Sequence, residues 1–276
     1  MNQSFINFLL SELDNRWHEV SILLEMANEY EQKNQVLHDA ICRSVSVLMV
    51  ANFEGFYKDL IKKIIEDLKI NKNFCDLSNS IQRNYCSIFI DSQSSSQAQN
   101  RITELLIGKF KEVDVRISYE PFLFNRNENP KPQIIETLFE NIGIKKIFEI
   151  LESSDYESVF QEENSSIEKR VEELTLILDS YSYSFPYKYE KSYFNMKPIS
   201  NKKSNKRTFW EEFLDEINRR RHGIAHGSDL GNGHSVEELI LTKNKLRCLE
   251  LALLHVVIEF FGIVQFMENT EELVTC

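Results

Sequence analysis

Hydrophobic residues in the first quarter of the chain recur at steps of three and four, which is the helical period. Between residues 4 and 32 these positions are Phe5, Leu9, Leu13, Trp17, Val20, Leu24 and Ala27. A second series runs from about Val36 to Leu68, after a break at Asn34 and Gln35. Such spacing places the apolar side chains on one face of each helix. The two segments predict a hairpin of two long antiparallel helices.

The middle of the chain carries shorter patterns. Helices are predicted twice within 78–113, around a Ser/Gln-rich loop at 92–99, and then at Pro132–Phe139, 144–152 and 165–178. Three prolines predict a loop over 114–132. The alternation of aromatic residues over 181–189 is typical of a strand, and a loop is an equal alternative.

Two further helices are predicted near the C-terminus. One extends from Thr208 to about Ala225, and a long final helix extends to about Met267. The final helix begins with the capping-box pattern Ser-Val-Glu-Glu at 235–238, in which the serine and the second glutamate satisfy free backbone amides. Its apolar residues cover more than one face. We therefore expect part of this surface to contact another element, in the same chain or in a second subunit.

The composition favours an all-α protein. Only eight glycines and five prolines occur in 276 residues, and 42% of the residues are hydrophobic, which is enough for a substantial core. We predict a single helical domain over residues 1–276, with residues 70–207 as a long insertion between core helices.

The formal charge of −11 is unevenly distributed. Between Tyr187 and Arg207 the chain carries seven cations and one anion, interleaved with aromatic residues, and three more arginines occupy 219–221. Aromatic rings stack on bases and cations bind phosphates, so this strip suits RNA. The candidate substrate-binding residues are Lys202, Lys203, Lys206, Arg207 and Arg220. An equal alternative is a solvated loop whose aromatic side chains pack onto the core.

The five scattered cysteines and the terminal segments predict a cytoplasmic protein. No Cys-x-x-Cys pair occurs, which fits reduced thiols. The apolar run Phe5–Leu10 is short and lacks a basic lead, so we do not expect a signal peptide. The most apolar stretch, Leu246–Met267, contains several charged or titratable residues and predicts a buried helix rather than a membrane span.

The most informative segment is Arg221–His226, whose sequence is Arg-His-Gly-Ile-Ala-His. Arginine offers a planar cationic fork for phosphate oxygens, and histidine exchanges a proton near neutral pH. On a continuous helix Arg221 and His226 lie about 140° apart around the axis. We therefore expect the helix to end or bend between them, which Gly223 and Gly227 permit.

Other interpretations of this segment remain open. Cations close to a helix C-terminus, followed by glycine, also form an ordinary helix end. His222 and His226 have the i, i+4 spacing of metal ligands, with Asp229 or His234 as a third ligand, although the central glutamate of a His-Glu-x-x-His site is missing. A third possibility is a module that binds RNA, nucleotide or protein without catalysis.

The segment resembles the R-x4-6-H signature of the HEPN superfamily, with His222 in the place of the polar residue that often follows the arginine. The order Ile-Ala-His-Gly at 224–227 is also common in that superfamily. Residues 51–56 (Ala-Asn-Phe-Glu-Gly-Phe) resemble the early core helix of its stand-alone bacterial members. The resemblance covers about 36–68 and 208–266.

The resemblance implies an up-and-down bundle of four or five core helices and a homodimer whose two motifs face one cleft. It also implies RNA cleavage without metal or another cofactor. Many such proteins are toxins or antiviral-defence effectors, so an antitoxin or another defence protein is a possible partner. One departure is Ser228, where some HEPN toxins carry a tyrosine. This difference puts in doubt any function that depends on that tyrosine.

Specific roles follow for the candidate residues. His226 is expected to be the general base or acid, with its copy in the second protomer in the complementary role. Arg221 is expected to stabilise the transition state, and His222 to orient phosphate or His226. Glu54 and Asp229 are candidates for supporting contacts, with a solvated surface position as the simpler alternative. We expect His255, alone on its helix, to have a structural role or a surface position rather than a catalytic one.

Overall fold

The protein is described by a computed structural model that covers residues 3–90, 95–123, 130–196, 206–227 and 234–265. Within these ranges the helices are α1 (Phe5–Ser11), α2 (Leu13–Tyr30), α3 (Gln35–Asn71), α4 (Asn79–Ser87), α5 (Ser96–Glu112), α6 (Pro132–Asn141), α7 (Ile147–Glu152), α8 (Asn164–Ser182), α9 (Phe209–Ala225) and α10 (Val236–Phe261). Short 3-10 helices occupy Phe74–Asp76, Glu120–Phe122 and Asp155–Phe160. Two short strands, β1 (Lys188–Tyr189) and β2 (Ile263–Val264), pair in parallel. The predicted all-α class is confirmed.

Polar side chains at the predicted breaks start the helices. Asn34 accepts a hydrogen bond from the Leu37 amide at 3.1 Å, which begins α3. The predicted capping box at Ser235 is present, and Thr208 forms a second one with Glu211 at the start of α9. These bonds satisfy amides that have no partner within their own helix.

The central element is α3, which has 37 residues. The hairpin partner α2 packs along it, as predicted, and α1, α9 and α10 also contact it. Its inner face buries large side chains such as Phe53, Phe56 and Tyr57. By length and composition α3 could cross a membrane, but a buried core helix meets the same criterion.

The final helix is shorter than predicted. It ends at Phe261. The next residue, Gly262, lies against other backbone: a Cβ atom there would be 2.4 Å from the Ile258 carbonyl oxygen and 2.8 Å from the Tyr187 carbonyl oxygen, so this position requires glycine. The chain continues in an extended conformation and forms β2, whose Ile263 amide donates to the Tyr187 carbonyl at 2.8 Å. Only Lys188–Tyr189 of the predicted alternating segment is a strand.

The apolar surface of α10 is largely buried within one chain. Its side chains from Leu251 to Ile258 are almost inaccessible, and α8, α2 and α3 pack against the helix. Most of this surface is therefore covered within the chain, and Phe260 at its end stays exposed. The buried side chains of 70–207 join the same hydrophobic core as α3 and α10, and the interpretation of this segment as an insertion stays a prediction.

Candidate functional site

The segment singled out in the sequence forms the C-terminal end of α9. The helix passes through Gly223 and extends to Ala225, and His226 still donates its amide to the His222 carbonyl at 3.0 Å. Gly227 then adopts the left-handed conformation, with φ of 67°, and ends the helix. The expected helix end between Arg221 and His226 is therefore confirmed, because α9 ends at Ala225. Helical hydrogen bonding nevertheless continues to His226, so this end does not bring the two side chains to one face.

Two imidazoles lie together at this helix end. The ring centroids of His222 and His226 are 4.2 Å apart, with an angle of 49° between the ring planes. Both side chains are exposed to solvent. Spacing of four residues on a helix accounts for the contact, because such residues lie on one face. The site thus presents two imidazoles side by side on one exposed face of the helix.

Arg221 lies on a different side of α9. Helical geometry places it about 140° from His226 but within about 20° of Leu214, which is fully buried. Accordingly Arg221 is only partly exposed and already makes an interaction within the chain. Within one protomer the predicted arginine and histidine therefore do not share a face.

Arg220 belongs mainly to the packing of the bundle. Its side chain is 15% exposed and donates to Glu216 at 2.8 Å. It lines a small crevice with residues of α3 and α10, including Met49 and Leu246. This position leaves little of Arg220 available to a nucleic acid, although its predicted role in substrate binding stays untested.

The basic strip and the two histidines are neighbours in sequence but not in space. Lys206 and Arg207 precede α9, whereas His222 is its fourteenth residue and His226 follows its last, so about 20–25 Å of helix separates the two groups. Arg207 forms ion pairs with Asp215 and, at 3.8 Å, with Glu211. Lys202 and Lys203 lie outside the described residues.

Several aromatic residues of 181–194 are buried in the protein, whereas Tyr183 and Tyr193 are exposed. Tyr187 is fully buried and donates its hydroxyl to Asp67 at 2.9 Å, and Phe194 stacks on Tyr156 at 5.6 Å. Of the two interpretations of this strip, its described part matches the one with aromatic side chains packed onto the core. The rings of Tyr187 and Phe194 are therefore not available for base stacking.

A buried polar network holds the same strip against α10. Glu259 accepts hydrogen bonds from the Ser192 hydroxyl and the Tyr193 amide, both at 2.6 Å. Nδ1 of His255 lies 2.7 Å from the Tyr156 hydroxyl. Burial lowers the pKa of His255 to about 4 and raises that of Glu259. The structure is consistent with the expected structural role of His255.

The supporting residues predicted from the sequence are only partly described. Glu54 pairs with Lys58 at 2.6 Å on α3. The neighbouring Gly55 admits Arg16 of α2, because a Cβ atom there would lie 2.5 Å from Nη1 of that arginine. Residues 51–56 thus form part of the contact between α2 and α3. Asp229 and Ser228 lie outside the described residues.

The alternative metal site gains no support from the geometry. Among the described residues, no group of three or more His, Cys, Asp or Glu side chains is arranged to hold a metal ion. His234, one proposed third ligand, lies 3.3 Å from Glu238. The other, Asp229, falls in the part that the structure does not describe.

Comparison with known proteins gives one family. The RiboL-PSP-HEPN family model matches residues 11–161, which is more than half of the chain. No curated protein and no solved structure matches the chain. The matched region extends from the end of α1 to just beyond the 3-10 helix Asp155–Phe160, so it includes the α2–α3 hairpin. It ends before α9, and the histidine pair therefore lies outside it.

Proposed function

The chain belongs to the RiboL-PSP-HEPN family, and from that premise we propose that it is a metal-independent endoribonuclease with its active site at the C-terminal end of α9. HEPN domains include ribonucleases and other nucleotide-binding modules. The observation that carries the proposal is the exposed pair His222 and His226, with ring centroids 4.2 Å apart, on a helix end rich in arginine.

The reaction that suits this site uses the nucleophile that RNA carries, its 2′-hydroxyl. A neutral imidazole takes the proton from this hydroxyl as the 2′-oxygen bonds to phosphorus. The bond from phosphorus to the 5′-oxygen breaks, and a protonated imidazole gives its proton to that oxygen. An arginine stabilises the charge on the phosphate oxygens in the transition state. His226 acts as the base or the acid, and Arg221 stabilises the charge.

A second copy of the chain completes the site. The attacking and leaving oxygens of an in-line displacement lie on opposite sides of phosphorus. The rings of His222 and His226 lie on one helix face, so within one protomer they approach a phosphate from the same side. Arg221 points away from that face. Two copies related by a twofold axis would supply an acid and a base from opposite sides of a shared cleft.

The cellular role follows from the proposed activity. We propose that it acts in the cytoplasm as a toxin or an antiviral-defence effector, as many HEPN proteins do, under the control of a partner protein such as an antitoxin. Its substrate is RNA, and no membrane is involved. The alternative, an HEPN module that binds RNA or a protein without cleaving, is distinguished by the first experiment below.

We expect the purified protein to cleave mixed tRNA and mRNA in the presence of EDTA and to leave DNA intact. The products should end in a 2′,3′-cyclic phosphate or its hydrolysis product and begin with a 5′-hydroxyl, because the 2′-oxygen is the nucleophile. End-group analysis by mass spectrometry checks this result. Products with a 5′-phosphate, or a requirement for divalent metal, would favour the metal site. Binding without cleavage would favour the non-catalytic module.

We also expect a homodimer in solution, with the two Arg221–His226 segments facing a shared cleft. Light scattering at micromolar concentration should give twice the chain mass of 32.5 kDa. A crosslink between cysteines introduced at position 226 in both copies would place the two segments near the axis. A strictly monomeric protein that still cleaves RNA would refute the composite site, as would a dimer with the two segments on opposite sides.

A further inference from the structure

A third side chain shares the exposed face of α9 with the histidine pair. Arg219 precedes His226 by seven residues, so the two lie within about 20° of each other around the helix axis, and His222 lies about 60° from Arg219. At about 1.5 Å per residue, Arg219 is displaced by about 4.5 Å along the axis from His222. The Arg219 side chain is exposed to solvent. A cation therefore lies beside the two imidazoles, on the side of the helix that Arg221 does not reach.

Arg219 differs from the other arginines near α9, because it has no partner among the described residues. Arg207 is paired with Asp215, Arg220 with Glu216, and Arg221 is engaged within the chain. In the part of the chain that the structure describes, Arg219 makes no hydrogen bond or ion pair. Its charge is therefore available to an anion.

The pairing of Asp215 accounts for this availability. Asp215 and Arg219 are four residues apart, the spacing at which an acid and a base on one helix ordinarily pair. Arg207 binds the Asp215 carboxylate instead, from the segment that precedes α9. Glu216, another nearby acid, is bound to Arg220. Neighbouring carboxylates are thus neutralised by other arginines, and Arg219 keeps its charge beside the histidines.

We propose that Arg219 binds a phosphate of the RNA strand next to the one cleaved at the histidine pair, and that Arg207 keeps Arg219 free by holding Asp215. This inference rests on the proposed ribonuclease function. A guanidinium presents a planar fork that matches phosphate oxygens and keeps its charge at any physiological pH. One such contact contributes to affinity in a salt-dependent way, because binding releases counterions from the strand.

The test is RNA binding by the full chain in a His226→Ala background, which separates binding from cleavage. A fluorescent single-stranded RNA is titrated at several salt concentrations. Arg219→Ala should weaken binding on the order of 10-fold. It should also reduce the slope of log affinity against log salt by about 0.7, the value for one phosphate contact on a single strand. Arg219→Lys keeps the charge and should retain the slope.

Two further variants make the test specific. Arg101→Ala removes an exposed arginine of α5, remote in sequence from α9, and should leave the affinity and the slope unchanged. Arg207→Ala releases Asp215 to pair with Arg219, so it should weaken binding, and adding Asp215→Asn should restore it. Circular dichroism verifies that each variant is folded.

The outcomes separate this inference from the proposed function. If wild-type protein cleaves RNA and Arg219→Ala binds with unchanged affinity and slope, the role of Arg219 is overturned and the ribonuclease stands. If binding is lost in Arg207→Ala and stays lost with Asp215→Asn, Arg207 does not act through Asp215. A protein that neither cleaves nor binds RNA overturns both proposals.

Discussion

Replacing His226 by alanine is expected to reduce RNA cleavage by ~10²–10⁴-fold, the usual contribution of a positioned general acid or base. The protein should remain folded, because His226 lies beyond the last residue of α9 and its side chain is exposed. Cleavage rates under single-turnover conditions, together with a thermal unfolding curve, check both parts of this expectation.

A second active-site variant and a control variant accompany this experiment. Arg221→Ala should lose a transition-state contact, on the order of 10²-fold in rate. His18→Ala removes an exposed histidine of α2 and should cleave at the wild-type rate. If folded His226→Ala cleaves at the wild-type rate, the active site is elsewhere in the chain.

The long helices could be predicted from the sequence because their signals are local. The period of apolar residues identified α2, α3, α9 and α10, and side chains such as Ser235 marked where helices begin. The HEPN resemblance rested on residues 36–68 and 208–266. The family match over residues 11–161 confirms the superfamily and includes the first of these two segments but not the second. The end of α10 could not be predicted, because Gly262 is required by the backbone of Tyr187, 75 residues earlier in the chain.

The site at the end of α9 was only partly predictable, because contacts within one helix follow from the sequence whereas contacts with other segments do not. The contact between His222 and His226 follows from their spacing of four residues, and the position of Arg219 on the same face follows from the same helical geometry. Arg207 and the histidines are close in sequence but not in space, because the length of α9 places the histidines about 20–25 Å away from Arg207. The ion pair between Arg207 and Asp215 depends on the path of the segment that precedes α9, and no local sequence pattern predicts that path.

The partners of the charged residues in the apolar stretch 246–267 could not be predicted from the sequence either. The sequence indicated a buried helix, and the structure shows that Glu250, His255 and Glu259 are each almost inaccessible to solvent. Their partners come from distant segments of the chain. Trp17 donates its indole N–H to Glu250 at 2.7 Å, and Tyr156 contacts His255. Burial of a polar group is tolerated when such partners exist, but a single sequence does not identify them.

Glu250→Gln is expected to stabilise the protein at alkaline pH and to have little effect at about pH 5. The Glu250 side chain is fully enclosed, and among the described residues its Oε1 atom has no hydrogen-bond partner. Burial raises the pKa of Glu250 to about 8, although Trp17, Arg16 and Arg247 oppose this shift. The folded protein therefore binds a proton at this carboxyl that the unfolded chain releases at a much lower pH.

The sign of the effect follows from this difference in proton binding. Between the ordinary pKa of glutamate and about 8, the folded state holds more protons, so the free energy of unfolding of the wild type falls as pH rises, by about 1.4 kcal/mol per pH unit. Glutamine cannot ionise, and its carbonyl oxygen can still accept the hydrogen bond from Trp17. The advantage of Glu250→Gln should therefore grow between about pH 5 and pH 8 and then level off.

Urea unfolding of both proteins at pH 5, 6.5, 8 and 9 measures this advantage directly. His255, whose pKa burial lowers to about 4, makes both proteins less stable as pH falls from about 6.5 toward 4, so its contribution cancels in the difference. Glu19→Gln, at an exposed position on α2, is the control and should give a difference that does not change with pH. Parallel stability curves for wild type and Glu250→Gln from pH 5 to pH 8 would contradict this prediction. They would mean that the pKa of Glu250 is not raised in the folded protein. Water or a cation, most directly Arg16 or Arg247, would then have to reach its side chain.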